Sequence, residues 1–187
     1  MIVHIRRKTM CTNMQINELI QQLDRETMGH CVGMQNMAVD LENYFNYEGH
    51  ILSTAALLCD VGKLYLSSYL LEKQDILTEF EKRLIDNHPY YSYEIIKDYD
   101  IDENIKSLVL YHHNHSSYKN IDNLPSYNDN LEKLYTTLEL VDAYQGLIEY
   151  RTYRTSHCTP YDAYKILVRE NCHNQDVLDY IKDNYIY

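Results

Sequence analysis

Apolar residues recur at intervals of three and four along much of the chain, and no window alternates apolar and polar residues cleanly in period two. The stretch from Arg25 to about Tyr44 shows this spacing most fully. Its apolar positions are Met28, Cys31, Met34, Ala38, Leu41 and Phe45. Such spacing places apolar side chains on one face of an α-helix. The pattern therefore predicts a helical protein.

Capping residues and helix breakers locate further helices. The stretch Thr78–Glu81 has the form of a capping box, which opens a helix. Pro89 suits the first turn of a helix that starts near His88. Residues 159–162 resemble another capped start. Other helices are predicted near residues 17–23, 51–58, 103–111 and 130–149 and close to the last residue.

Length and composition agree with a single domain. The chain has 187 residues, of which 45% are hydrophobic, and a chain of this size can bury a core without disulfides. We expect one all-α bundle of about seven to nine helices at residues 14–187. Residues 1–13 are expected to be an N-terminal arm or linker remnant, and the polar stretch 114–127 a loop.

Charge and cysteine content limit the partners of the protein. Asp and Glu number 28 against 17 Lys and Arg, a net charge of -11, and so acidic a surface repels DNA, RNA and anionic membranes. No apolar stretch approaches the roughly 20 residues that span a bilayer. The five cysteines show no close pair of zinc-ribbon type and are expected to be reduced thiols. These features favour a cytoplasmic protein and leave its oligomeric state open.

Imidazoles and carboxylates recur at helix ends and on predicted apolar faces. Glu26 and His30 are four residues apart and therefore share one helix face. Asp142 lies on the predicted buried face of a long helix, where a carboxylate needs a cation or several hydrogen bonds. Further candidates at predicted helix ends are Asp60, His88, His112 and His113. Because these are ligand types of divalent transition metals, the set predicts a metal site.

Each of these residues alone also has a simpler interpretation. A single His or Asp near a helix end is usually a cap or a surface group, and adjacent residues such as His112 and His113 point apart on a helix. Lys63, Arg151 and Arg154, taken singly, are most readily solvated charges or members of surface ion pairs. The prediction of a site therefore depends on the whole ordered set.

The ordered set is suited to phosphate chemistry. Asp60 is the natural bridging ligand for two metals, and a metal-bridged hydroxide could attack phosphorus in line with the leaving oxygen. Lys63, three residues later, could stabilise or protonate that oxygen, so Asp60 and Lys63 are the predicted catalytic residues. Arg151 and Arg154 could bind the non-bridging phosphate oxygens.

This order of residues resembles the HD superfamily of metal-dependent phosphohydrolases, and its HD-GYP branch most of all. The pattern of that branch is a His, then H-D-I-G-K, H-P and H-H, then an Asp and an R-P-Y-R-like run. In the same order the chain carries His30, Leu58-Cys59-Asp60-Val61-Gly62-Lys63, His88-Pro89, His112-His113, Asp142 and Arg151-Thr152-Tyr153-Arg154. The resemblance covers about residues 26–170.

The resemblance implies an HD-domain fold that hydrolyses a small-molecule phosphodiester, either cyclic di-GMP or another nucleotide. It implies two or three divalent transition metals as cofactors, from among Fe, Mn, Zn and Ni. By position, the implied metal ligands are Glu26, His30, Cys59, Asp60, His88, His112, His113 and Asp142. The implied phosphate contacts are Lys63, Arg151 and Arg154.

Two departures from the family pattern keep alternatives open. Cys59 stands where the family has the His of its H-D pair, and it is either a thiolate ligand or a small buried apolar residue. The Gly-Tyr-Pro segment is absent after His113. The alternative function is therefore a degenerate HD domain that binds a nucleotide or a protein without catalysis. A third hypothesis, a di-iron oxygenase, is disfavoured because Lys63 and the two arginines suit phosphate better.

Overall fold

The structure is a computed structural model that describes residues 14–113, 124–149, 158–170 and 174–186. These residues form α-helices and short 3₁₀ helices, and no strand occurs among them, which confirms the predicted all-α bundle. The predicted arm at 1–13 and most of the predicted loop at 114–127 lie outside the described residues. None of the described helices combines the length and the apolar character that crossing a membrane requires.

The helices follow one another with short connections. In chain order they are α1 (residues 14–20), α2 (Arg25–Phe45), α3 (Ile51–Leu58), α4 (Ser68–Leu71), α5 (Glu79–Asp86), α6 (His88–Ile96), α7 (Glu103–Tyr111), α8 (Glu132–Ile148), α9 (Pro160–Arg169) and α10 (Gln175–Tyr185). Two 3₁₀ helices occupy Val61–Tyr65 and Asp129–Leu131.

Local capping chemistry sets several of these boundaries. The Thr78 hydroxyl accepts from the Glu81 N–H at 3.3 Å, and the Glu81 carboxylate accepts from the Thr78 N–H at 2.8 Å, so the predicted capping box opens α5. Pro89 occupies the first turn of α6, as predicted. Thr159 caps α9 by accepting from the Asp162 N–H at 3.1 Å. The sequence does not predict α4, since a single turn offers no periodicity to detect.

The apolar faces of the helices meet in one core. Helix α2 packs against α3 and α8, and α7 packs against α3, α6 and α8. The largest fully buried apolar side chains include Met34, Leu41, Leu52, Leu58, Leu108 and Leu138. Burial of these side chains is the main favourable term in folding. It also fixes the relative positions of five helices, α2, α3, α6, α7 and α8.

The turn that follows α3 is pressed against α6. The Ser92 hydroxyl accepts from the Gly62 N–H at 2.7 Å and donates to the Cys59 carbonyl at 2.5 Å. A Cβ at Gly62 would lie 2.2 Å from the His88 carbonyl oxygen and 2.4 Å from the Ser92 nitrogen, so the close approach requires glycine. This contact holds His88, at the start of α6, beside Asp60.

Candidate metal centre

Five helices bring the predicted imidazoles and carboxylates together. His30 lies in the middle of α2, and Asp60 follows the end of α3. His88 begins α6, and Asp142 lies in α8. The pair His112-His113 follows the end of α7. Residues that are distant along the chain thus converge because the core packs their helices against one another.

Asp60 lies at the centre of the site and is 1% exposed. Its Oδ1 is 3.1 Å from His88 Nε2, and its Oδ2 accepts from Lys63 Nζ at 2.6 Å and lies 3.8 Å from His30 Nε2. Burial opposes ionisation, but the charge of Lys63 and the hydrogen bond from His88 hold the pKa of Asp60 well below its usual range. Asp60 is therefore an ionised carboxylate that contacts a cation and two imidazoles.

His30 lies between two carboxylates. Its Nε2 is 2.7 Å from Asp142 Oδ1, and its Nδ1 is 2.9 Å from Glu149 Oε2. Burial opposes protonation of the ring, but the hydrogen bonds with Asp142 and Glu149 outweigh it and raise the pKa of His30 to about 9. For Asp142, burial is outweighed by the hydrogen bond from His30, which lowers the pKa of the carboxyl to about 2. In the metal-free protein the charged His30 ring is therefore buried between two partly buried carboxylates, Asp142 and Glu149.

The rings of His88 and His112 present the same nitrogen to the site. His88 Nδ1 is 2.7 Å from the Ile85 carbonyl oxygen, and His112 Nδ1 is 2.7 Å from the Val109 carbonyl oxygen. A carbonyl can only accept, so each Nδ1 carries a hydrogen. Burial lowers the pKa of His112 well below its usual value, so this ring is neutral. Nε2 of His112 then has no hydrogen and presents a lone pair, 3.2 Å from His88 Nε2.

His112 and His113 both face the site, although adjacent residues on a helix point apart. The difference arises because α7 ends at Tyr111: His112 is its C-cap residue, and His113 lies beyond the helix. The two ring centroids are 4.0 Å apart, and His113 Nδ1 lies 3.5 Å from Asp142 Oδ2. The His113 side chain is 38% exposed and forms the outer edge of the cluster.

The donor atoms of the cluster fit a divalent transition metal. Within the described residues, two groups of three have ligand atoms that all lie within 4.8 Å of one another. The groups are His88, His112 and His113, and Cys59, Asp60 and His112. Imidazole nitrogen, carboxylate oxygen and thiolate sulfur are donors that such metals prefer. Each Nδ1–H to carbonyl bond also fixes the ring as it does around known metal sites.

Cys59 is fully buried next to Asp60. Its thiol donates to the Ala56 carbonyl at 3.4 Å and lies 4.0 Å from Met34 Sδ. Burial, reinforced by the charge of Asp60, raises the pKa of the Cys59 thiol well above its usual value. The residue therefore combines a position among potential ligand atoms with the packing of a core residue.

A cleft of about 1210 Å³ opens beside the cluster. Its lining includes Glu26, His30, Lys63, Gln145 and Glu149. Glu26 is exposed on the first turn of α2 and belongs to neither three-residue group found among the described residues. The Lys63 side chain is 15% exposed, so its ammonium group borders both the cleft and the buried Asp60. A substrate in the cleft would therefore meet Lys63 and the edge of the cluster.

Glu149 is a site residue that the motifs do not indicate. It follows Asp142 by seven residues, two helical turns, and this spacing on the same face is the signal that could have found it. The Gln145 amide donates to Glu149 Oε1 at 2.7 Å. The predicted phosphate ligands Arg151 and Arg154 lie outside the described residues.

Comparison with protein families gives a match that spans the cluster. The model of the HD domain matches residues 27–147, which is 121 of 187 residues. The matched range includes His30, Asp60, His88, His112-His113 and Asp142. Comparisons with curated proteins and with solved structures found no match.

Proposed function

The chain belongs to the HD domain family, a family of metal-dependent phosphohydrolases, and from this premise we propose that it hydrolyses a phosphodiester. The observation that carries the proposal is the buried contact of Asp60 with His30, His88 and Lys63. Burying ionised and lone-pair groups together is costly unless a cation or a full set of hydrogen bonds compensates them. These buried charged groups beside a cleft are therefore better explained by a function than by a contribution to folding.

We assign the ligands by the contacts they make. His30, His88, His112, His113, Asp60 and Asp142 would hold the metals. Bound divalent metals supply Lewis-acid activation of water and of the phosphoryl group. Lys63 Nζ, held by Asp60 at 2.6 Å, places a positive charge where negative charge grows on the phosphate oxygens. The hydrogen bonds from Nδ1 of His88 and His112 to carbonyls turn Nε2 of both rings towards the cluster, where these atoms would hold the metals.

The substrate class we propose is a nucleotide phosphodiester, with cyclic di-GMP as the first candidate. Support comes from the order of the motifs, which resembles that of HD-GYP domains, and from Arg151 and Arg154, which match positions that contact phosphate in that branch. The cleft of about 1210 Å³ exceeds the roughly 300–1,000 Å³ of most small-molecule sites, so a dinucleotide has room.

The first prediction tests catalysis and metal content together. Protein loaded with Mn²⁺ or Fe²⁺ should hydrolyse bis(p-nitrophenyl) phosphate and cyclic di-GMP, and elemental analysis should find two or more metals per chain. Asp60→Asn keeps the shape of the side chain but removes its charge. We expect activity to fall by at least about a hundredfold, because the metals contribute several kcal/mol of transition-state stabilisation.

Asp183→Asn is the matched control, because Asp183 is exposed on α10, outside the family match. This variant should keep both metal and activity. A wild-type protein that binds no transition metal after reconstitution, or an Asp60→Asn variant as active as the wild type, would contradict the proposal.

A second candidate function is a non-catalytic HD domain that binds a nucleotide or a protein. The observation in its favour is the fully buried Cys59 thiol, which donates to the Ala56 carbonyl as a core residue would. If this candidate is correct, the wild type does not hydrolyse cyclic di-GMP or bis(p-nitrophenyl) phosphate even when it is loaded with Mn²⁺ or Fe²⁺. Strong hydrolysis by the wild type would exclude it.

A further inference from the structure

Of the three imidazoles that are buried in the described part of the chain, two use backbone carbonyls to hold their Nδ1 atoms. His88 uses the Ile85 carbonyl at the end of α5, and His112 uses the Val109 carbonyl near the end of α7. These acceptors are available because the last carbonyls of a helix have no partner inside it. Position at a helix end therefore supplies both rings with a neutral acceptor.

His30 has a side chain as its Nδ1 partner. It lies in the middle of α2, where each carbonyl accepts from an N–H one turn later. Its Nδ1 is instead 2.9 Å from the Glu149 carboxylate, and the two side chains are 3% and 18% exposed. Glu149 directly follows α8, and a carboxylate at the C-terminal end of a helix opposes the helix dipole. Its placement is thus explained by His30 and not by the stability of α8.

Glu149 is itself held in place by α2 and α8. Gln145, one turn earlier on α8, donates from Nε2 to Glu149 Oε1 at 2.7 Å. The Gln145 amide occupies space that Gly33 leaves open, because a Cβ at Gly33 would lie 2.2 Å from Gln145 Nε2. A glycine inside a helix costs about 1 kcal/mol relative to alanine. Gly33 therefore makes α2 less stable than alanine would, at the point where the Gln145 amide packs against this helix.

We propose that Glu149 is the positioning residue for His30, and that Gly33 and Gln145 hold its carboxylate in place. By accepting the Nδ1–H, Glu149 turns Nε2 towards the metal, and its negative charge makes the ring a stronger donor. The inference rests on the proposed metal site and deepens it. Loss of such a carboxylate partner typically weakens metal binding by about 10- to 100-fold.

The second prediction tests this role with Co²⁺, whose visible absorption reports both its affinity and its ligand set. Glu149→Ala should weaken Co²⁺ binding by about 10- to 100-fold and alter the absorption spectrum. Glu149→Gln should rescue part of the affinity, because its amide oxygen can accept the Nδ1–H without the charge. Gly33→Ala should fall between Glu149→Ala and the wild type, because the flexible end of Gln145 can move aside without unfolding the protein.

Two controls match these variants. Glu139→Gln changes an exposed carboxylate on the same helix, α8, and Gly29→Ala adds a methyl group four residues from Gly33, where nothing lies within 4 Å. Both should bind Co²⁺ as the wild type does. If the wild type binds Co²⁺ and Glu149→Ala binds it equally well with the same spectrum, the positioning role is overturned and the proposed function stands. If the wild type itself does not bind Co²⁺, both are overturned.

Discussion

His30 must meet opposite requirements in the metal-free and metal-bound protein. Without metal its ring is charged, because the hydrogen bonds with Asp142 and Glu149 outweigh burial and raise its pKa to about 9 from 6.5. As a ligand the ring must be neutral, so metal binding has to displace a proton. Because the pKa of His30 is higher in the folded protein than in the unfolded chain, its protonation stabilises the folded state. This stabilisation is complete below the pKa of the unfolded chain and is lost as pH rises towards the pKa of the folded protein.

The third prediction concerns how the free energy of unfolding changes with pH. For chelator-treated protein, the free energy of unfolding should fall as pH rises from 6.5 to about 8.5. The range ends there because ordinary thiols ionise at higher pH and would add their own effect. Urea unfolding at several pH values measures it. His30→Gln should remove the decline. His50→Gln should keep it, because the His50 side chain is 81% exposed. A decline of the same steepness in His30→Gln would assign the effect to other groups.

Residue identity predicts much of the candidate site but not its hydrogen bonds. His30, Asp60, His88 and Asp142 can be selected from the sequence, because helix ends and the apolar faces of helices can be predicted from it. Which ring nitrogen faces the centre depends on acceptors contributed by other helices, and these have no sequence signature. Glu149 illustrates the limit, since its role depends on how closely α8 approaches α2.

At the scale of helices, α6 is attached to the α3 turn through one hydroxyl. Ser92 is 0% exposed, and its Oγ bonds both the Gly62 N–H and the Cys59 carbonyl. The fourth prediction is that Ser92→Ala destabilises the protein by about 1–3 kcal/mol, because it leaves a buried N–H without its partner. It should also weaken metal binding, because His88 on α6 then shifts relative to Asp60.

Urea unfolding and Co²⁺ titration measure the two effects of Ser92→Ala. Ser68→Ala is a suitable control, because Ser68 is exposed on α4 and should change neither quantity. Stability and affinity that both equal those of the wild type would show that this contact does not hold α6.

Helix boundaries are predictable where local chemistry decides them. Thr78 and Glu81 form their capping box within one turn, and Pro89 fixes the first turn of α6, so both are visible in the sequence. The end of α7 at residue 111 is predicted, but the convergence of His112 and His113 is not visible, because it depends on the backbone and packing of the two residues after that end. Packing between helices, and not propensity, decides such details.

At the scale of the whole molecule, the net charge of -11 conflicts with an anionic substrate. An acidic surface repels phosphate over a distance of about 8 Å in physiological salt. Attraction must therefore be local, and Lys63 at the edge of the cleft together with bound metals can supply it. With this net charge, long-range electrostatic steering would not draw a phosphate substrate to the cleft.

Metal ions would also connect the helices that carry the ligands. Ligands from α2, α6 and α8 and from the segments after α3 and α7 would share them. Metal that binds only to the folded state stabilises that state by mass action.

The fifth prediction is that metal at about one hundred times its dissociation constant adds about 2.7 kcal/mol to the free energy of unfolding, which raises Tm by roughly 5–10 °C. Differential scanning calorimetry with chelator and with Mn²⁺ measures it. Asp60→Asn should lose most of this increase and Asp183→Asn should keep it, whereas an unchanged Tm in the wild type would mean that no shared ion joins these helices.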